Sequence, residues 1–165
     1  MLDENQSIYT PIKIPYFEKN SLKIVKVSCG ELHSIALTES NQIFTWGYGE
    51  HGRLGHGDEE ERYEPTELKF RFKYVFKDVF AGSDCSFLLT KDGRALAFGN
   101  NEFNKLCLNE ITIGFKSDLK NIQGVSSIVQ QLTPKIIKKL SPYHVVKICP
   151  GKTHTAAIDR KLSLI

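Results

Sequence analysis

Apolar residues along this chain come in short runs, many alternating with polar positions, and nowhere does the three-to-four spacing of a long helix take over. Gly, Asn, Asp and Pro punctuate the runs. That pattern predicts short strands joined by turns, an all-β fold. Candidate strands lie at 24–28, 34–38, 42–46 and 66–72, then at 75–80, 86–90, 94–98 and 134–138. A third group follows at 145–148 and 155–158, with a stub at 162–165.

The groups repeat. Gly82 lies 52 residues after Gly30, and at that offset 29–57 aligns on 81–109 without a gap. Ser34 meets Ser86, Leu37 meets Leu89, Trp46 meets Phe98, Gly47 meets Gly99 and Leu54 meets Leu106. A third copy opens at Gly151, with His154 over His33 and Thr155 over Ser34. Pro11, Pro65 and Pro134 each open a strand-like stretch, at spacings of 54 and 69, and against the 52-residue offset the second unit holds an insertion of about 17 residues within 111–131. One repeat domain is expected, with units at about 15–70, 73–138 and a partial 143–165. Four short antiparallel strands recurring at about 50 residues form the blade of a β-propeller. The expectation is a partial, open propeller of about three blades, the last incomplete.

The densest turn signal is TWGYGEHGRLGHGD at 45–58, with five glycines in the eleven residues from Gly47 to Gly57. Such density predicts a compact loop that reverses several times. Trp46 and Leu54 are its apolar anchors; Trp46 is expected to be mostly buried, and Gly47 and Gly49 to hold backbone conformations that other residues reach with difficulty. The spacing Gly47-x-Gly49-x-x-Gly52 also invites a phosphate-cradle reading. That motif must open a helix, and Arg-Leu-Gly-His-Gly-Asp cannot, so the interstrand loop prevails.

The order Val-x-Val-x-Cys-Gly-x-x-His-Ser-x-Ala-Leu-Thr, then Ile-Phe-Thr-Trp-Gly-x-Gly-x-x-Gly-x-Leu-Gly-x-Gly, then Pro, resembles the regulator of chromosome condensation repeat. Gly30, His33, Trp46, Gly47, Gly49, Gly52, Leu54, Gly55 and Gly57 carry the pattern in unit one. In unit two, Gly49, Gly52, Gly55 and Gly57 are replaced by Asn101, Asn104, Cys107 and Asn109, and asparagine tolerates left-handed backbone better than most residues. The resemblance implies a propeller. For the family's founding member it implies guanine-nucleotide exchange on a small GTPase, and chromatin binding is a second family property. Similar repeats also occur attached to kinase and ubiquitin-ligase domains, neither of which is present in this sequence.

Composition narrows the function. The 165 residues are 41% hydrophobic and 25% charged, ordinary globular values. A net charge of +3, from 17 lysines and only 5 arginines among the basic residues, argues against sequence-specific DNA recognition. No run of 18 apolar residues exists, and the N-terminus lacks a basic start and an apolar core, so no membrane span or secretory signal is expected and the protein is read as intracellular, cytoplasmic or nuclear. Cys29, Cys85, Cys107 and Cys149 show no CxxC spacing and are read as reduced thiols.

Few constellations suggest chemistry. His33, Cys85 and His154 share one repeat slot, and imidazole and thiolate are zinc ligands, but a shared slot first reflects a shared packing problem. No nucleophile–base couple stands out, and His51 and His56, beside Glu50 and Asp58, read as loop histidines. No catalytic residue, metal or cofactor is therefore expected. In Lys69-Phe70-Arg71-Phe72-Lys73-Tyr74 basic and aromatic residues alternate. As a strand this would expose Lys69, Arg71 and Lys73 and turn Phe70 and Phe72 inward. The basic face then serves either to protect a sheet edge or to bind an acidic partner. The run Asp58–Glu61 reads as a solvated turn.

The reading that results is a non-enzymatic protein-protein interaction or scaffold module. Its alternatives are a guanine-nucleotide exchange factor, with the insertion as its wedge, and a chromatin-binding module. Expected partners are other proteins, among them a small GTPase or the remainder of a propeller. Open blade edges predict either a piece of a longer propeller or self-association, in which 10–14 pairs with a sheet of another chain.

Overall fold

The computed structural model describes residues 11–108 and 129–165. Its strands are β1 (Ile24–Cys29), β2 (His33–Thr38), β3 (Ile43–Gly47), β4 (Arg62–Leu68), β5 (Phe76–Ala81), β6 (Cys85–Thr90), β7 (Ala95–Asn100), β8 (Gln130–Ile136), β9 (Val145–Pro150) and β10 (Thr155–Asp159). They form two four-stranded antiparallel sheets, β1-β2-β3-β4 and β5-β6-β7-β8, and a two-stranded pair, β9 with β10. These are two full blades and part of a third. Leu164 bridges to Ile158, which marks the start of a third strand in that last blade.

The two full blades share one register. His33 faces Gly47 and Leu37 faces Ile43; 52 residues on, Cys85 faces Gly99 and Leu89 faces Ala95. Both blades slip register at the same places, near the start of the first strand and just before the glycine of the third, between Thr45 and Gly47 and between Ala97 and Gly99. The second slip is built by glycine, since Gly47 and Gly99 take φ of +108° and +107°.

Alternation along each strand sends successive side chains to opposite faces, and two cores result. Ile35, Leu37, Ile43 and Leu68 of blade one pack against Phe76, Val79, Leu88, Leu96 and Phe98 of blade two. The opposite face of blade two, with Phe87, Leu89, Ala95 and Ala97, packs against Val145, Ile148 and Ala157 of blade three. Sandwiched on both sides, β6 and β7 are buried along their whole length.

The remaining face of blade one carries Ala36 and Phe44. A five-residue helix, α1 (Pro15–Lys19), lies over it. Tyr16 and Phe17 meet the Phe44 ring edge-on at 5.8 and 5.6 Å, and Phe17 meets Trp46 at 5.7 Å. Proline at its first turn starts this helix, and Ser21 at φ +53° ends it, with the Leu22 amide donating to the Phe17 carbonyl at 2.8 Å.

Several expectations need correction. The outer strands begin four residues earlier than the prolines suggested, so Pro65 and Pro134 sit inside β4 and β8. Both are edge strands, where proline's missing N–H costs no ladder bond. Residues 69–74 consequently follow β4 instead of forming it. Trp46 is half-buried, because α1 covers only part of its face. Gly49 has ordinary φ of −94°, although a Cβ there would stand 2.1 Å from the Glu60 carbonyl oxygen. Residues 11–14 form no strand and lead into α1, while residue 10 lies outside the described residues. Of the insertion, 130 and 131 belong to β8, and 111–128 lie outside the described residues. No helix among the described residues is long and apolar enough to cross a membrane.

Candidate interaction surfaces

The glycine loop after β3 is a clasp between blades. Gly52 (φ +73°) approaches blade two so closely that a Cβ would lie 2.6 Å from the Leu132 Cα. Gly55 (φ +82°) lies against the Phe98 ring, where a Cβ would be 2.8 Å away. The Gly57 amide donates to the Leu132 carbonyl at 2.9 Å, and Leu54 is fully buried.

Two hydroxyls hold consecutive carbonyls of the loop. Thr45 of blade one donates to the Leu54 carbonyl at 2.8 Å, and Ser86 of blade two donates to the Arg53 carbonyl at 2.9 Å. A hydroxyl has one hydrogen, so each must accept from the imidazole beside it. His56 Nε2 therefore donates to Thr45 at 2.9 Å, and His33 Nε2 donates to Ser86 at 2.8 Å across the blade junction. Gly30 leaves room for the His33 ring, which a Cβ would meet at 2.3 Å. Burial, helped by the Arg53 guanidinium, pushes His33 down to about 4, and burial also lowers His56.

The second junction uses different chemistry in the same place. Lys105, 52 residues after Arg53, is buried and pairs with Asp84, and its ammonium also donates to the Lys152 carbonyl of blade three at 3.1 Å. Asn100 donates to the other Asp84 oxygen at 2.7 Å. Cys85 fills the His33 slot, and burial pushes its thiol up to about 11. His154, in the third unit, is exposed. All four cysteines are free, and no group of three metal-ligating side chains gathers among the described residues. Where His33 fills it, this slot joins blade one to blade two through Ser86.

Connecting segments emerge at two rims. Alternate turns meet there across blades: the Glu31 amide donates to the Ser83 carbonyl at one rim, and Asn41 Nδ2 to the Tyr74 carbonyl at the other. The rim holding the glycine loop (30–32, 48–61, 82–84, 101–108 and 151–154) carries eight carboxylates, Glu31, Glu50, Asp58, Glu59, Glu60, Glu61, Asp84 and Glu102. Against them stand three basic residues, Arg53, Lys105 and Lys152, two of them buried. The hairpin rim (20–23, 39–42, 69–75, 91–94, 137–144 and 160–163) reverses the balance. It has ten basic residues, Lys23, Lys69, Arg71, Lys73, Lys91, Arg94, Lys138, Lys139, Arg160 and Lys161, and two acidic ones, Glu39 and Asp92. Among the described residues the connecting loops are thus strongly polarised, which the small net charge of +3 does not reveal.

Lys69, Arg71 and Lys73 are exposed on the hairpin rim, between blades one and two, and not on a strand. Lys69 pairs with Glu67, and the Arg71 guanidinium stands 5.6 Å from the Phe72 ring centre. Phe70 turns inward, 4.9 Å from the Phe76 ring, but Phe72 is 63% exposed, contrary to the strand expectation. Without a strand, period-two alternation does not govern the segment. Sequence reasoning missed the spread of this basic surface over three blades, since its members are scattered along the chain and only the alternation of strand direction gathers them.

Comparison with known proteins agrees with the architecture. The model of the regulator of chromosome condensation (RCC1) repeat matches residues 2–37 and 40–89, and a second RCC1 repeat model matches 24–53 and 76–105. The match over 40–89 starts in blade one and ends in blade two, so the sequence repeat is staggered against the blade. The serine/threonine-protein kinase Nek9 of Xenopus laevis is 38% identical over 168 residues, covering 99% of this chain and 17% of that protein. The probable E3 ubiquitin-protein ligase HERC4 of Homo sapiens is 33% identical over 153 residues, 91% of this chain and 13% of that one. The chain thus spans under a fifth of either relative. Among solved structures, human WBSCR16 superposes with a TM-score of 0.67 at 22% identity, over 86% of this chain and 32% of that one. Prp20p of Saccharomyces cerevisiae, described with its binding properties to Gsp1p and histones, superposes at 0.66 with 19% identity, over 83% of this chain and 31% of that one. With its staggered repeats, its glycine clasps and its four-stranded blades, this chain belongs to the RCC1 repeat family.

Proposed function

We propose that this chain is a non-catalytic protein-interaction module, and that the hairpin rim around Lys69, Arg71 and Lys73 is its surface for an acidic protein partner. The observation that carries the reading is the segregation of charge among the described loop residues, ten basic against two acidic on one rim and three against eight on the other. Blade two, packed on both faces, gives the loops beside it a rigid base, which limits the entropy lost on binding. Arg71, Lys73, Lys138 and Lys139 have no carboxylate partner among the described residues and can meet one on another protein. Edge protection does not account for them, because none lies on a strand.

The test is retention on immobilised poly-glutamate under a salt gradient. The wild-type chain should elute at clearly higher salt than a variant carrying Lys69→Glu, Arg71→Glu and Lys73→Glu, with both giving the same thermal melt. Equal elution would remove the proposed surface. The exchange-factor reading is tested separately by nucleotide release from a panel of small GTPases. Acceleration that disappears on deleting 111–131 would replace the present reading with that one.

A further inference from the structure

Behind Lys69 and Lys73 the hairpin rim contains a cavity of about 260 Å³. Its floor is core: Ile43, Leu68 and Phe76 are all buried, and Phe70 packs beside them. Lys69, Phe72 and Lys73 stand at its mouth. Asn41 fixes one wall. Its side chain donates to the Tyr74 carbonyl at 2.7 Å and accepts from the Phe76 amide at 2.7 Å, tying the β2–β3 turn to the segment after β4. The cavity is thus a recess of mixed lining, apolar at its floor and polar at its walls, where Asn41, Gln42 and Glu67 stand, with Lys69 paired to Glu67, Lys73 at the entrance and an exposed phenylalanine beside it.

We infer that this recess takes one apolar side chain of an acidic protein segment, whose flanking carboxylates meet Arg71 and Lys73. The inference rests on the interaction-module reading and names what that surface selects. A buried apolar anchor ringed by charge-complementary contacts is the usual layout of a binding hot spot. Phe72, at 63% exposure, gains from being covered, and the Arg71 guanidinium over its ring already orders it. Two other polyanions fit less well. An anionic membrane would need a protruding apolar edge, and the floor here is concave. A strand of nucleic acid would stack successive bases on several open aromatic faces, and among the described residues of this rim Phe72 is the one aromatic more than half exposed.

Three fluorescent probes decide the matter on the full chain: a ten-residue Asp/Glu peptide with a central Leu-Phe pair, the same peptide with Ala-Ala, and phosphatidylserine vesicles. The Leu-Phe peptide should bind at least tenfold tighter than the Ala-Ala peptide. Phe72→Ser, at an exposed position, and Gln42→Trp, which fills the recess from its wall, should each erase that difference while leaving Ala-Ala binding unchanged. Equal binding of both peptides would overturn the recess but leave the basic rim standing. Binding of neither peptide at low salt would overturn the rim as well. Vesicle binding that depends on Phe72, with no preference between the peptides, would assign the surface to membranes instead.

Discussion

His33 shows how much rests on one side chain. Its Nε2–H is committed to Ser86, and its Nδ1 is buried with no hydrogen-bond partner among the described residues. In the unfolded chain a histidine takes up its proton near pH 6.5, whereas the folded one resists until about 4. Between those values the unfolded state binds more protons, so stability must fall as pH is lowered through the window, by about 3 kcal/mol when complete. The depressed carboxyls of Asp58, Asp84 and Asp92 act lower, below their unfolded value of 3.8. His33→Gln can still donate to Ser86 but does not titrate. Urea unfolding at pH 7.5 and 4.5 should show the wild-type loss of stability shrinking by more than half in the variant; an unchanged loss would mean another group titrates. That His33 belongs to the repeat was visible in the sequence. That it joins two blades was not, because Ser86 lies 53 residues away and belongs to the next unit.

Among elements, the glycine loop is where sequence and structure meet most closely. Glycine density alone announced a tight loop, and Leu54 is the anchor it suggested. What the loop packs against was hidden, because β8 follows an insertion that unit one does not have. The consequence can be measured by comparing two glycines of similar conformation. Gly52→Ala must bear left-handed backbone and a methyl 2.6 Å from the Leu132 Cα. Gly57→Ala bears the backbone strain, but its methyl meets only Thr133 Cγ2, at 3.6 Å. Gly57→Ala should cost about 1–2 kcal/mol, and Gly52→Ala should cost roughly 1–3 kcal/mol more through overpacking. Equal losses in chemical denaturation would show that the loop is not clamped to blade two. The outer strands were misplaced for a related reason. Proline reads as a start signal, but on an edge strand it is tolerated in the interior.

At the scale of the molecule, the all-β blades and their number were legible, because alternation and a fixed offset survive any uncertainty about loops. The helix α1 was not, since five residues are too few to show a period. Yet α1 stands where a preceding blade would pack and covers Phe44 and part of Trp46. The chain has one tryptophan, which makes this cover easy to follow. Phe17→Ala should shift Trp46 emission to the red in the folded protein and cost about 2–3 kcal/mol, below the full core value because Phe17 is only partly buried. Unchanged emission would mean that the indole is shielded by something other than α1. Beyond α1 the face is open, with Val27 63% exposed.

Because each clasp is seated on the following blade, the order of synthesis is written into the architecture. Gly52 finds Leu132 only after 80 further residues have been made. At roughly 5–20 residues per second, that interval is roughly 4–16 s. Throughout it, blade one has its hairpins but not its lock, and its carbonyls at Arg53 and Leu54 have only Thr45 and water to bind until Ser86 arrives. Fastening of blade one therefore waits on the completion of blade two, one blade behind the ribosome.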